Sequence, residues 1–213
     1  MKSIVEKLRT TVEEKMAVVE ETVHSFEHVE RVFKIATHLA IQEGAYLELV
    51  QVGALLHDIG WTVGKPHHET GAELAREILK KMDYPSEETI VSIVLHHHLD
   101  CKDKLRTLEE KVVWDADKID LLGILGIVRT FHLLGNQPFD SVVQRAFKEL
   151  KTVYPLLNTT TAKIIAEKRQ KETLFLLVAL KEELLLEDLH LSSNNLTQWK
   201  KNQVSVNCLS RTR

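Results

Sequence analysis

The chain predicts an all-α, single-domain fold, and three observations carry that expectation. Apolar residues recur at intervals of three and four along nearly the whole sequence. No stretch alternates apolar and polar residues between turn dipeptides such as Asn-Gly. No repeat of solenoid period is visible. At 213 residues and 44% hydrophobic, the chain is long enough to bury one sizeable core.

The elements follow in order. A first helix runs from about Ile4 to Met16. HSFEHVERVFKIATHLAIQEG places Val29, Val32, Phe33, Ala36 and Ala40 on one stripe, with Gly44 as its stop. YLELVQVGALLHDIG is an apolar helix ending at Gly60. Thr70 and Glu73 have capping-box spacing ahead of LAREILKKM, so a helix is expected to start there and close before Pro85. Ser86 opens IVSIVLHHH, with Glu87 and Glu88 set against the helix dipole. Thr107 and Glu110 repeat the box before KVVWDADKIDLLGILGIVRTFHLLG, expected as one long helix. Gly135, Asn136 and Pro138 break the chain; Asp140 is placed to cap SVVQRAFKEL, which Pro155 ends. TAKIIAEKRQKETLFLLVALKEELLLE is a long amphipathic C-terminal helix. One helical domain is thus expected over 1–189, followed by a polar, flexible tail, 190–213.

Composition excludes several classes. Lys+Arg 28 against Asp+Glu 31 leaves a net charge of −3 and no basic field, which disfavours nucleic acid as a partner. The cysteines, Cys101 and Cys208, lack CxxC spacing, which disfavours a disulfide framework or a thiolate zinc site. No apolar run approaches the roughly 20 residues that cross a bilayer. The charged N-terminal stretch lacks a secretory pattern. The chain therefore reads as cytoplasmic, with no membrane partner.

Histidine stands out, with 11 in the chain and a cluster at His57, His67, His68, His96, His97 and His98. His28 shares a helical stripe with Val32, Ile35 and Leu39. His57 and Asp58 end the apolar run LLHDIG, and Asp117 sits four residues from both Val113 and Leu121. An ionised aspartate withdrawn from water costs several kcal/mol unless something pairs with it. A single buried polar residue is more often a hydrogen-bonded core group than a ligand. Two imidazoles and two carboxylates on helices that must pack together would all be stabilised by one cation.

These residues carry a resemblance. The order H…HD…D, the tetrapeptide HDIG at 57–60, DADKIDLLGILGIVR at 115–129 and HSFEHVERVFKIA at 24–36 resemble the HD-domain metal-dependent phosphohydrolases, from roughly Val23 to Arg129. The resemblance implies a helical HD-domain bundle and one divalent ion held by His28, His57, Asp58 and Asp117. Ser25 stands where many members carry Asp, which leaves that ligand set intact and His24 as the alternative to His28. Two imidazoles and two hard carboxylates suit Mn, Co, Ni, Fe or Mg better than a closed zinc site. A second metal stays open.

The implied reaction is attack by metal-activated water on the phosphorus of a small phosphorylated metabolite, a nucleotide above all, in a phosphomonoester or phosphoanhydride. Asp58, His68 and His96 are the expected catalytic residues; Lys65, His67, Lys118 and Arg31 are expected to bind the substrate phosphate. His96 ends an apolar helix as His57 does, which places it in the pocket. His97 and His98 are expected outside, since successive helical residues point about 100° apart. Asp120 stays open between ligand support and surface, and Arg129 between phosphate donor and structural ion pair. Trp61 and Tyr84 are the aromatic residues placed to stack on a base. The alternative function is a non-catalytic, metal-containing protein that binds a nucleotide or signal phosphate. Homo-oligomerisation stays open too.

Overall fold

The computed structural model describes residues 3–19, 22–186 and 189. Among them the fold is all-α, with nine helices: α1 Ile4–Met16, α2 Phe26–Glu43, α3 Leu47–Leu56, α4 His67–Lys81, α5 Glu87–His96, α6 Leu108–Asp120, α7 Ile124–Leu133, α8 Phe139–Val153 and α9 Thr160–Leu184. Two compact units divide the chain at Thr173. The first holds α1 to α8 and the opening half of α9. The second begins at Leu174 with the rest of α9. The tail expected at 190–213 lies outside the described residues. No described helix is long and apolar enough to cross a membrane.

The first unit is built around α6, whose residues from Val112 to Asp120 are all buried. Its first turn is closed by a capping box, with the Thr107 hydroxyl accepting from the Glu110 amide at 3.2 Å and the Glu110 carboxylate from the Thr107 amide at 2.9 Å. Helices α2, α3 and α5 pack on α6, and α4 packs on α5. Trp114, Ile119, Leu39, Leu55 and Ile93 are fully buried between them. Each such side chain removed from water contributes about 1.5–3 kcal/mol. Helix α2 keeps its stripe of Val29, Val32, Phe33, Ala36, Leu39 and Ala40 inside, and Gly44 ends it in the left-handed region at φ 75°.

Three boundaries differ from the sequence expectation. Helix α4 starts at His67, after Pro66, because the Thr70 hydroxyl donates back to the Gly64 carbonyl at 2.8 Å instead of capping a helix. Helix α8 starts at Phe139, so Asp140 lies in its first turn. The long helix expected through residue 134 is two helices, α6 and α7, broken at Gly123. Gly123 sits at φ 90°, where a side chain is strained, and the Arg169 stem packs 3.3 Å from where its Cβ would be. The break matters because residues nine apart on a straight helix stand about 13.5 Å apart along its axis. By turning back, α7 brings the Arg129 guanidinium onto the Asp120 carboxylate.

Candidate metal centre

The sequence places His28 on α2, His57 and Asp58 just after α3, and Asp117 on α6, and the fold brings them together. His28 Nε2 lies 3.3 Å from His57 Nε2, 3.4 Å from Asp58 Oδ2 and 3.3 Å from Asp117 Oδ1. His57 Nε2 lies 3.6 Å from Asp58 Oδ2. All four residues are buried. Neighbouring ligands on an octahedral ion with bonds of about 2.1 Å stand about 3 Å apart, so His28, His57 and Asp58 are spaced for a single ion, with Asp117 against His28.

The donor set itself calls for positive charge. The His57 ring donates from Nδ1 to the Ala54 carbonyl at 2.8 Å, so its Nε2 presents a lone pair. The His28 ring donates from Nδ1 to Asp120 Oδ2 at 2.8 Å, so its Nε2 faces the same point. The His57 lone pair and oxygens of Asp58 and Asp117 surround His28 Nε2, a donor set that suits a cation in place of the His28 proton. Burial holds the His57 ring down to about 4 and hence neutral. For His28, burial opposes the charge, but Asp117, Asp120 and Asp58 outweigh it and push the ring up to about 10. Despite burial, His57, His28 and His97 hold the Asp58 carboxyl well below the usual range, and Lys118 and His28 do so for Asp117.

The other oxygen of Asp58 faces a second group. Asp58 Oδ1 lies 3.3 Å from His97 Nε2 and 3.7 Å from His67 Nε2, and the two rings approach each other at 3.3 Å. His97 donates from Nδ1 to the Val94 carbonyl at 2.6 Å, repeating at the end of α5 what His57 does at the end of α3. His28–His57–Asp58 and Asp58–His67–His97 each group donor atoms closely enough to hold an ion. His67 reaches its place because Gly60 touches the start of α4: a Cβ there would stand 1.8 Å from the His67 carbonyl oxygen.

His96 and His97 exchange their expected places. Helix α5 ends at His96, whose Nδ1 lies 3.0 Å from Glu110 Oε1 beside Ser92, away from the cavity, while His97 is buried and faces Asp58. His98 lies at the rim and stacks on His68, ring centroids 4.8 Å apart. Arg31 does not reach the cavity either; it binds Asp120 at 2.9 Å. Asp120 is fully enclosed by His28, Arg31 and Arg129, and Arg129 also donates to the Val23 carbonyl at 2.6 Å. Burial raises the Asp120 carboxyl, but these three donors outweigh it and bring it to about 2. Asp115, two residues before Asp117, turns the other way and accepts from the Asn158 and Thr159 amides at 2.9 and 2.7 Å.

The cluster forms the floor of a cavity of about 730 Å³. Lys65, His67, His68 and Lys118 line it, as does Arg129. Lys118 Nζ is 2.5 Å from Asp117 Oδ2 and buried. Trp61 is in the wall, but its ring stacks on His24 at 4.2 Å and on His67 at 4.7 Å, with Lys65 Nζ 5.3 Å from its centre. Tyr84 is elsewhere, with its hydroxyl on Glu48. Arg145 and Glu149 of α8 also line the cavity; neither carries a sequence motif, and only the packing of α8 reveals them.

The HD domain family matches residues 25–122. The uncharacterized protein YpgQ of Bacillus subtilis is 26% identical over 179 residues, 77% of this chain and 85% of that protein. A crystal structure of B. subtilis YpgQ in complex with ADP superimposes with a TM-score of 0.70 at 24% identity, covering 84% of this chain and 97% of that one. An HD-superfamily hydrolase from Bacillus thuringiensis gives a TM-score of 0.70 at 26% identity, covering 84% of this chain and 96% of that one.

Proposed function

From the match of residues 25–122 to the HD domain family, we propose that the chain is a metal-dependent phosphohydrolase of small phosphorylated metabolites, nucleotides above all. One observation carries the reading: buried His28, His57 and Asp58 group their donor atoms closely enough to hold an ion, with Asp117 against His28, beside a cavity that two lysines line. His28, His57, Asp58 and Asp117 are the residues that would hold a divalent ion of the Mn, Co, Ni, Fe or Mg type, and Asp58, His67 and His97 a second one. Such an ion supplies a water of lowered pKa for attack on phosphorus and draws charge from the phosphoryl oxygens.

The chain's own groups do the rest. Lys118 and Lys65 balance the phosphate charge, Lys118 from the wall beside Asp117 and Lys65 from above Trp61. Asp58 presents one oxygen to each donor group and so fixes their separation. His68 lines the cavity and its Nδ1 has no partner among the described residues. Burial pushes that ring down, so at neutral pH it offers the leaving group a hydrogen bond from a neutral imidazole. The relative crystallised with ADP supports a nucleotide as ligand.

The test is a matrix of ions and substrates. Chelator-stripped protein reloaded with Mn²⁺, Co²⁺, Ni²⁺, Fe²⁺ or Mg²⁺ is expected to release phosphate or pyrophosphate from members of a nucleotide panel. Asp58→Ala and Asp117→Ala are expected to be inactive. Stoichiometric ion and tight nucleotide binding without turnover would replace this reading with a binding protein.

A further inference from the structure

Lys65 and Lys118 serve the phosphate end of the cavity, and a different wall must hold the other end of the substrate. A volume of about 730 Å³ suits a whole small molecule rather than a phosphate alone. The obvious platform for a base, Trp61, is engaged within the protein by His24, His67 and Lys65. The remaining wall comes from α7, α8 and the turn before α7, with Leu121 and Leu133 as apolar surface and Glu149 and Arg145 as polar groups.

Resting on the nucleotide reading, we propose that Glu149 determines specificity by accepting hydrogen bonds from the vicinal hydroxyls of a ribose. Its carboxylate is held in place: Arg145 Nε donates to Oε1 at 2.6 Å, and the Thr130 hydroxyl lies 3.1 Å from Oε2, its proton shared with the Gly126 carbonyl at 3.0 Å. A carboxylate has about four lone-pair sites, two on each oxygen. Arg145 and Thr130 occupy one on each side, leaving one on each oxygen, which is the number a vicinal diol needs. The apolar pair Leu121 and Leu133 faces the same space and suits the flat, weakly polar remainder of a nucleoside.

The experiment compares a ribonucleotide with the 2′-deoxyribonucleotide of the same base and phosphate count on the metal-loaded full chain. Both KM and kcat are measured, with equilibrium binding alongside. Losing a hydrogen bond to a charged acceptor shifts affinity by about tenfold or more, so wild type is expected to favour the ribonucleotide by that factor, in KM. Glu149→Gln is expected to reduce the preference to about twofold, with the change again in KM. Arg145→Gln, at an exposed position on α8, is expected to weaken the preference by loosening Glu149, and it keeps the test alive if the first variant folds poorly. A preference retained in both variants, or a wild type indifferent to the sugar, overturns the assignment while leaving nucleotide hydrolysis standing. A wild type that neither binds nor cleaves any nucleotide overturns both.

Discussion

Asp120→Asn tests the link between the ligand cluster and its surroundings. In the wild type the Asp120 carboxylate receives the His28 Nδ1 proton at 2.8 Å, which leaves His28 Nε2 free to face the other donors. It also binds Arg31 at 2.9 Å and Arg129. The amide can still accept from His28, but the negative charge that raises that ring's basicity is gone. Outer partners of this kind are worth about 10- to 100-fold in metal affinity, or about 1.4–2.7 kcal/mol. Calorimetric titration of chelator-stripped protein with Mn²⁺ is the assay, with melting curves run beside it. The two guanidinium groups lose a counter-charge as well, so some loss of ion-free stability is expected on top of the affinity change. Asp115→Asn separates the two effects. Asp115 holds the Asn158–Thr159 backbone and touches none of the cluster, so this variant should melt lower yet bind the ion as wild type does. Wild-type Mn²⁺ affinity in Asp120→Asn would refute the account of how His28 is oriented.

Other outcomes follow from the same geometry. His97→Ala is expected to lower the number of ions bound per chain, whereas His96→Ala, which loses a contact to Glu110, should leave that number unchanged; elemental analysis decides. Lys118→Met should reduce kcat/KM for a nucleotide by about 10- to 100-fold, as expected when a charged donor to phosphate is lost, with the fold intact by circular dichroism. Gly60→Ala should cost at least about 1–3 kcal/mol in a denaturant melt, because its Cβ has no room against His67. The pH dependence has a definite sign. The His28 ring is raised from 6.5 to about 10, so its contribution to ion-free stability is complete below 6.5 and is lost as pH rises through 10. Stripped protein should therefore melt progressively lower across that window, while Mn²⁺, which displaces the His28 proton, should bind more tightly across it.

Much of the fold was legible because its signals are local. Helix α1 matches its expected bounds, Gly44 ends α2, and the Thr107–Glu110 box opens α6. Ordering of His28, His57, Asp58 and Asp117 along the chain was enough to anticipate that they meet. The misses each needed information from elsewhere in the molecule. LLGILG keeps the apolar period of one long helix, and what breaks it is Gly123 at φ 90°, with the Arg169 stem packed against it. Thr70 and Glu73 satisfy a capping pattern, but the Gly64 carbonyl captures the hydroxyl. His96 ends its apolar helix and so resembled His57, but His57 is the residue after α3, and its counterpart after α5 is His97. DADKID holds three aspartates within six residues whose fates diverge, to a loop, a ligand set and a guanidinium pair, through partners that lie up to 92 residues away.

The two oxygens of Asp58 have one further consequence. A single carboxylate carries one negative charge, so whatever cation settles against Oδ2 withdraws electron density from Oδ1 as well. Occupancy on either side therefore changes the affinity on the other, and thermodynamic reciprocity requires the interaction to be equal in both directions. With both proposed positions loaded, their occupancies would be coupled through this one side chain.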